Sequence, residues 1–506
     1  MIRIIDSYLD RITMYRLMLY YLLVLIGIAL VFGFIGTLQY APLTIFSSLV
    51  VLVSVCVLVN TFFSTILKVP TNLESAYITA LILTFIMTPL ASVDSLWIFG
   101  LVGFLAMASK YVLAINKKHL FNPVAISVVL LSMTTGVYAD WWAGHISMLP
   151  FVVIGGLLIM RKTRKEYMLV SLFFTASVAS SLFALFRSEN ILLALNTTLV
   201  SSAFCFLGFV MFTEPLTTPP TKKMQLIYGG IVGFLFPQQL QIGTLYLTPE
   251  LSLVLGNIFS FLVSPKQRLV LYLKEKIQLA PDIAEFVFKP DRRVAFSPGQ
   301  YMEWTLSHHH TDSRGSRRYF TLASSPTEDT LRLGVKLSQN GSSFKRALSA
   351  ISEKVPVVAS QLSGEFVLPD DKTRKMVFIA GGIGVTPFRS IVTYLLDTKE
   401  TRQVVMLYAN KLVSDIVYKD IFDRAEKELG IKTIYSLTDK DSVPKGWKGR
   451  VGRIDANVIG EEVPDWKDRY FYLSGPHPMV TGYEDVLRQM GLPKRQIKTD
   501  FFPGYA

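Results

Sequence analysis

The first 265 residues read as long apolar runs separated by short polar joints. Ten runs stand out, at about 17–37, 43–66, 76–90, 96–113, 121–138, 147–160, 167–186, 191–212, 225–240 and 249–264. Runs this uniformly apolar predict membrane-crossing helices, although several fall short of the roughly 20 residues a straight crossing needs. Beyond residue 265 the pattern changes. LVLYLKEKIQL, IAEFVFKP, QYMEWTL, YFTLASS, LRLGVKL and VPVVASQ are short strand-like runs broken by turns, and they predict a small antiparallel β-barrel over 266–369. Residues 370–506 alternate strands (KMVFIAGG, QVVMLYAN, KTIYSLT, RYFYLSG) with helices from Pro387, over 415–429 and over 477–490. That βα series predicts a mostly parallel sheet. The expected architecture is an α-helical membrane domain of ten spans (1–265), then a β-barrel domain (266–369) and an α/β nucleotide-binding domain (370–506).

Charge sharpens this division. Residues 1–265 hold 14 Lys/Arg and 9 Asp/Glu, whereas the rest of the 506-residue chain holds 37 and 29. With the N-terminus inside, Arg3, Arg11, Arg16, Lys68, Lys110, Lys117, Lys118, Arg161, Lys162, Arg164, Lys165, Lys222, Lys223, Lys266 and Arg268 all fall on the inner side. Outer loops carry only Arg187. The positive-inside rule then places both termini in the cytoplasm of a multi-pass cell-membrane protein. Trp141 and Trp142 fall in an outer loop, as interfacial aromatics do. The net charge of +13 needs no nucleic acid to explain it. No small-residue cleavage site follows the first run, which predicts a retained helix. Two cysteines, Cys56 and Cys205, exclude a disulfide scaffold and a four-cysteine metal site within these residues.

An internal repeat runs through the apolar half. Pro89 and Pro215 end short runs, Pro123 and Pro249 start later ones, and both pairs are 126 apart. A five-span unit is odd, so two copies form two inverted five-helix repeats, with a ligand site expected between them. Asn122, Thr213, Glu214, Thr217 and Thr218 are the polar residues expected near it, since polar groups in spans are functional candidates. At ESAYITALILTFIMTP, KKHLFNPVAIS, MFTEPLTTPP and LVLGNIFSFL the chain resembles the ten-span flavin subunits of the Rnf complex and the sodium-translocating NADH:quinone reductase (their D and B subunits). The resemblance implies flavin in the membrane half. The family's D-G-x-S-G-A-T attachment motif is absent, so the expectation is noncovalent FMN or riboflavin.

Three motifs carry chemistry in the other half. In RRYFTLASSP, Arg318 suits a flavin phosphate, Phe320 the ring face and Thr321 the reactive edge, with Tyr319 between them. Alternation along a strand puts Arg318 and Phe320 on one face and Thr321 on the other. In NGSSFKRAL, Gly341, Ser342 and Ser343 open a helix whose free N–H groups suit phosphate. In VFIAGGIGVTPFRSI, Gly381, Gly382 and Gly384 lead to Thr386 and Pro387 at a helix start, a turn suited to pyrophosphate. This order resembles the ferredoxin–NADP reductase family of FAD/NAD(P)H oxidoreductases. The resemblance extends to GEFVLP and to YLSGPHPMV, where Ser474 stands at the family's cysteine, followed by Gly475, Pro476 and Met479. Phe501, Phe502 or Tyr505 would approach the flavin or simply pack. His308, His309 and His310 read as a solvated loop. His119 and His145 fall on opposite sides, which disfavours paired haem ligation.

The expected activity is a membrane NAD(P)H dehydrogenase. Electrons would pass from cytoplasmic NAD(P)H through FAD and intramembrane flavin, across the lipid bilayer, to an extracytoplasmic flavin or flavoprotein, or to quinone. The alternatives are a flavin or small-solute transporter with a reductase domain, and a subunit of an ion-pumping redox complex.

Overall fold

A computed structural model describes residues 9, 12–67, 73–90, 92–115, 118–163, 165–200, 203–237, 241–242, 245–264, 269–292, 294–308, 311–312, 315–337 and 341–500. Arg3, Arg11, Lys68, Lys117, Arg164, Lys266, Arg268, His309, His310, Phe501, Phe502 and Tyr505 lie outside the described residues, as does the side chain of Lys118. The chain divides into two compact units, Met1–Gln267 and Arg268–Ala506.

In the first unit each of the ten apolar runs is helical over most of its length. The helices are α1 (Met14–Phe34), α2 (Pro42–Ile66), α3 (Leu73–Ile86), α4 (Leu96–Val112), α5 (Pro123–Thr135), α6 (Leu149–Thr163), α7 (Glu166–Phe186), α8 (Ile191–Leu199), α9 (Phe204–Phe206), α10 (Lys222–Leu235) and α11 (Pro249–Val263). The eighth run is broken into α8 and α9, bent by 48°, and α9 runs on into a π-helical turn over Leu207–Met211. There the Phe212 amide reaches back five residues to the Leu207 carbonyl at 2.9 Å. Among the described residues, four helices are long and apolar enough to cross a membrane, or five with the bent pair counted as one. Ten crossings therefore remain an expectation: α3, α5 and α11 are apolar but shorter.

Local sequence explains the helix starts. Asn122 caps α5, its side chain accepting from the amides of Val124 and Ala125 at 3.1 Å, with Pro123 at the first helical position. Thr248 and Pro249 open α11 in the same way. Side-chain caps satisfy amides that a helix start leaves unpaired, and proline loses nothing there. α4 and α10 also start 126 residues apart, as do α5 and α11. Gly229 and Gly233 lie one turn apart on α10, against α7. A Cβ on Gly229 would come within 2.4 Å of the Met168 carbonyl oxygen, and one on Gly233 within 2.5 Å of the Leu172 carbonyl oxygen. Small residues at this spacing let two helix backbones approach closely. Trp141 and Trp142 depart from expectation. Both are buried, with the indole N–H groups donating to Glu250 (3.2 Å) and to the Thr84 carbonyl (2.8 Å), so they pack inward.

The second unit has two sheets. Strands β1 (Leu269–Ala280), β2 (Ile283–Pro290), β3 (Tyr301–Thr305), β4 (Arg317–Thr321), β5 (Leu331–Lys336) and β6 (Val357–Ser363) form an antiparallel sheet in the order β4-β3-β6-β1-β2-β5. It curls far enough for the Ala323 amide, just past β4, to bond the Arg332 carbonyl of β5 at 2.9 Å. A short helix α12 (Ser343–Ser349) puts Phe344 and Leu348 into its core. The other sheet is parallel, β10-β9-β8-β7-β11-β12, built from β7 (Met376–Gly381), β8 (Val404–Asn410), β9 (Lys432–Leu437), β10 (Arg450–Val451), β11 (Tyr470–Ser474) and β12 (Ile497–Asp500). All six residues of β7 are buried, as a central strand covered on both faces requires. α13 (Thr386–Thr398) buries Phe388, Ile391, Val392 and Leu395 on one side, and α16 (His477–Gln489) buries Val480, Tyr483 and Leu487 on the other.

Candidate functional site

Strand order reverses in the parallel sheet between β7 and β11, since β8 and β9 continue from one and β12 from the other. Ligands of such sheets bind outside the strand carboxyl ends at that reversal. β7 ends at Gly381 and β11 at Ser474, so the structure brings two predicted motifs together here. A Cβ on Gly384 would lie 2.5 Å from the Ser474 carbonyl oxygen and 2.4 Å from Gly475 Cα. One on Gly381 would lie 2.0 Å from the Met479 sulfur. Pro476 caps α16 beside them. Gly382 takes the left-handed conformation (φ 52°) that turns β7 into α13, and Thr386 and Pro387 are the first residues of that helix. These backbones close on each other, leaving the amides of the turn at a helix start.

The barrel motif meets the same edge. Thr321, at the end of β4, donates to Asp500 at the end of β12 at 2.8 Å, and both are buried. Asp500 pairs in register with Ser474. Burial pushes the Asp500 carboxyl up to about 7, against the lowering effect of the Thr321 hydrogen bond. The expected alternation along β4 is observed. Arg318 and Phe320 both face Phe344, the guanidinium 5.4 Å and the ring 5.8 Å from its centroid, while Thr321 faces Asp500. Tyr319 sits edge-on to Tyr301 at 5.7 Å.

Arg318 is buried and engaged. It donates to Asp312 at 3.1 Å and to the carbonyls of Gly315 and Arg317. The same Asp312 carboxylate accepts from the Ser343 amide at the start of α12 at 3.0 Å. One carboxylate thus bridges Arg318 and the Gly341–Ser342–Ser343 turn, the two groups proposed from sequence as phosphate ligands. Ser342 caps α12 and Gly341 accepts from Arg346 through its carbonyl. His308 lies in a loop, as expected, but is half-buried, its Nε2 2.9 Å from the Ser343 hydroxyl.

Elsewhere in this unit, five side chains close a partly buried polar ring where the barrel meets α13 and the segment after β8. Arg389 pairs with Glu328; Arg332 with both Glu328 (2.9 Å) and Glu285 (2.6 Å); Tyr418 donates to Glu285 at 2.8 Å; and the Arg389 guanidinium lies 5.7 Å from the Tyr418 ring centroid.

In the first unit the predicted polar residues do assemble. The Glu214 carboxylate accepts from Asn122 Nδ2 at 2.9 Å and from the Thr217 hydroxyl at 3.4 Å, and lies 3.3 Å from His119 Nε2. Thr213 is buried, its hydroxyl spent on the Phe209 carbonyl and its own carbonyl accepting from Lys165, which also reaches Thr218. Two members escaped the sequence reading. Asn257 accepts from the Asn122 amide at 2.8 Å and donates to the Tyr228 hydroxyl at 2.9 Å. Asp312 and Asp500 in the second unit also escaped it. A lone Asp in a loop or before a C-terminal tail carries no spacing signal; only its pairing identifies it.

Comparison with known proteins bears on the second unit. Residues 378–485 match the Oxidoreductase NAD-binding domain model. The chain is 25% identical over 238 residues to a flavohemoprotein of Oceanobacillus iheyensis (45% of this chain, 57% of that one). It is 27% identical over 238 residues to NADH-cytochrome b5 reductase 1 of Mortierella alpina (46% and 78%). It is 24% identical over 294 residues to XylA, the xylene/toluene monooxygenase electron transfer component of Pseudomonas putida (56% and 82%). The chain spans less than two thirds of the length of the first curated relatives it matches, from 57% to 65%. Among solved structures, the flavohem-like FAD/NAD-binding domain of nitric oxide dioxygenase from Vibrio cholerae covers 46% of this chain at 20% identity and a TM-score of 0.41. The C-terminal part is an oxidoreductase domain of the FAD/NAD-binding reductase kind.

Proposed function

We propose that the protein is a membrane-bound NAD(P)H dehydrogenase that passes electrons from its reductase unit into its apolar helical unit and on across the bilayer. The observation that carries the reading is the meeting of Thr321 and Asp500 with Ser474 and the Gly381–Thr386 turn at the strand reversal. The donor set fits FAD, because Arg318 and the Ser343 amide already converge on one anionic group, Asp312. Bound FAD would accept two electrons together and release them singly. Arg318, Gly341, Ser342 and Ser343 would hold its phosphates, with Tyr319 and Phe320 along the ring and Thr321 at its edge. Gly381, Gly382, Gly384, Thr386 and Pro387 would hold the NAD(P)H pyrophosphate, with Ser474, Gly475, Pro476 and Met479 closing over the nicotinamide. Asp500, with its raised pKa, would hold a proton at its carboxyl and exchange it through the Thr321 hydroxyl.

For the helical unit, large apolar side chains such as Phe34, Leu58, Phe62, Phe174 and Phe186 face outward, as lipid contact requires and water does not favour. A polar cluster of Asn122, Thr213, Glu214 and Thr217 lies inside it, and it supports binding of FMN or riboflavin. The matching 126-residue offsets of helix starts support two inverted repeats around that cluster. The hydrocarbon core is about 30 Å thick, so one carrier within it shortens the electron's path.

Proteoliposomes test the proposal. NAD(P)H outside is expected to reduce free FMN sealed inside, without haem or iron. Reduction only of acceptors on the NAD(P)H side would leave a membrane-anchored reductase. Reduction only of added quinone would move the acceptor into the bilayer.

A further inference from the structure

Two consecutive residues of α13 reach out of the nucleotide-binding sheet and grip the barrel. Arg389, buried, donates to the Ala323 carbonyl at 2.8 Å and pairs with Glu328 through both terminal nitrogens. Ser390, fully buried, donates to the Ser324 carbonyl at 2.6 Å. Ala323 and Ser324 lie only two and three residues beyond Thr321, within roughly 10 Å of it even in a fully extended chain. One turn earlier, α13 begins at Thr386, in the pyrophosphate turn. That turn also rests on the barrel: a Cβ on Gly334 of β5 would come within 2.7 Å of Thr386 Cγ2. One rigid helix therefore carries the nicotinamide-side turn at its start and the peptide behind the flavin-edge threonine one turn later.

We propose that Arg389 and Ser390 are positioning residues for hydride transfer, setting the distance between the dihydronicotinamide and the flavin edge. The inference rests on the dehydrogenase reading above. In the step concerned, the C4–H bond of NAD(P)H breaks and the hydrogen leaves with both electrons to flavin N5, giving NAD(P)+ and reduced flavin. Neither residue touches the reacting atoms. A displacement of about 1 Å in such a pair can slow transfer by roughly 10²-fold. A lysine at 389 keeps the charge but loses the two-pronged grip on Glu328 and Ala323.

The test is stopped-flow flavin bleaching by NADH and NADPH on the FAD-loaded full chain in detergent. For Arg389→Lys the limiting rate is expected to fall about tenfold or more. The apparent Kd for the nucleotide should stay within about threefold, because the pyrophosphate turn is intact. Nucleotide deuterated at C4 should still slow bleaching, marking hydride transfer as the slowed step. Ser390→Ala should act in the same direction more weakly, and it serves if Arg389→Lys does not fold. A merely structural role would lower FAD content and melting temperature while the loaded fraction kept its rate. That result, or a rise in Kd alone, overturns the proposal. Failure of NADH and NADPH to bleach the wild-type FAD would instead overturn the dehydrogenase reading itself.

Discussion

Asp500 is a buried acid whose carboxyl is raised to about 7, and the sign of its effect follows. Its folded pKa lies above the unfolded value near 3.9, so the folded chain holds an extra proton between the two. The associated stability is fully present below about pH 4 and is lost as pH rises through 7. Asp500→Asn should flatten that slope in denaturant titrations of the second unit. It should also remove a midpoint near pH 7 from NAD(P)H-driven flavin reduction and slow the reaction by roughly 10²-fold, as loss of a positioned acid does. Arg318→Ala should lose FAD, through one charged hydrogen bond worth about 1.5–3 kcal/mol. Asp312→Asn should keep it, because the carboxylate stands where an anionic ligand would. Flavin content after gel filtration distinguishes the two. Gly384→Ala should retain FAD yet fail to be reduced, since its Cβ meets the backbone of Ser474 and Gly475 at about 2.5 Å.

At the scale of elements, α7 and α10 depend on missing side chains. Gly229→Ala or Gly233→Ala would press a methyl group into the backbone of α7, costing about 1–3 kcal/mol or more. Thermal melting of the full chain in detergent should show the loss in the helical unit, with FAD reduction by NAD(P)H unchanged. Element positions were largely legible in the sequence. Ten apolar runs became helices, and each strand-like run of the second half became a strand, because burial on one or both faces leaves a periodic trace. Pairing was not legible. Asp312 with Arg318, Asp500 with Thr321, and Asn257 with Asn122 join positions whose spacing along the chain is set by topology alone. The burial of Trp141 and Trp142 was not legible for a related reason. An aromatic in an outer joint reads as interfacial until a buried acceptor such as Glu250 is found for its N–H.

At the scale of the whole molecule, the division at Gln267 and Arg268 separates two compact units with different surfaces. The helical unit exposes large apolar side chains, whereas the reductase unit buries its own in three clusters. Two units of this kind are expected to unfold separately. Heating in detergent should release FAD in a transition distinct from the loss of helical signal, and FAD in excess should raise only the first midpoint. A single coincident transition insensitive to FAD would contradict it.

The π turn at Leu207–Met211 has a consequence for chain length. Such a turn is an α-helix carrying one residue too many, and every residue after it is rotated by about 100° relative to a regular helix. Glu214 lies just beyond. Deleting a single residue from the turn, Gly208 for instance, would let an ordinary helix form and swing Glu214 away from Asn122 and His119. A deletion that regularises a helix is normally a repair. Here it should dismantle the polar cluster while leaving the apolar surface intact.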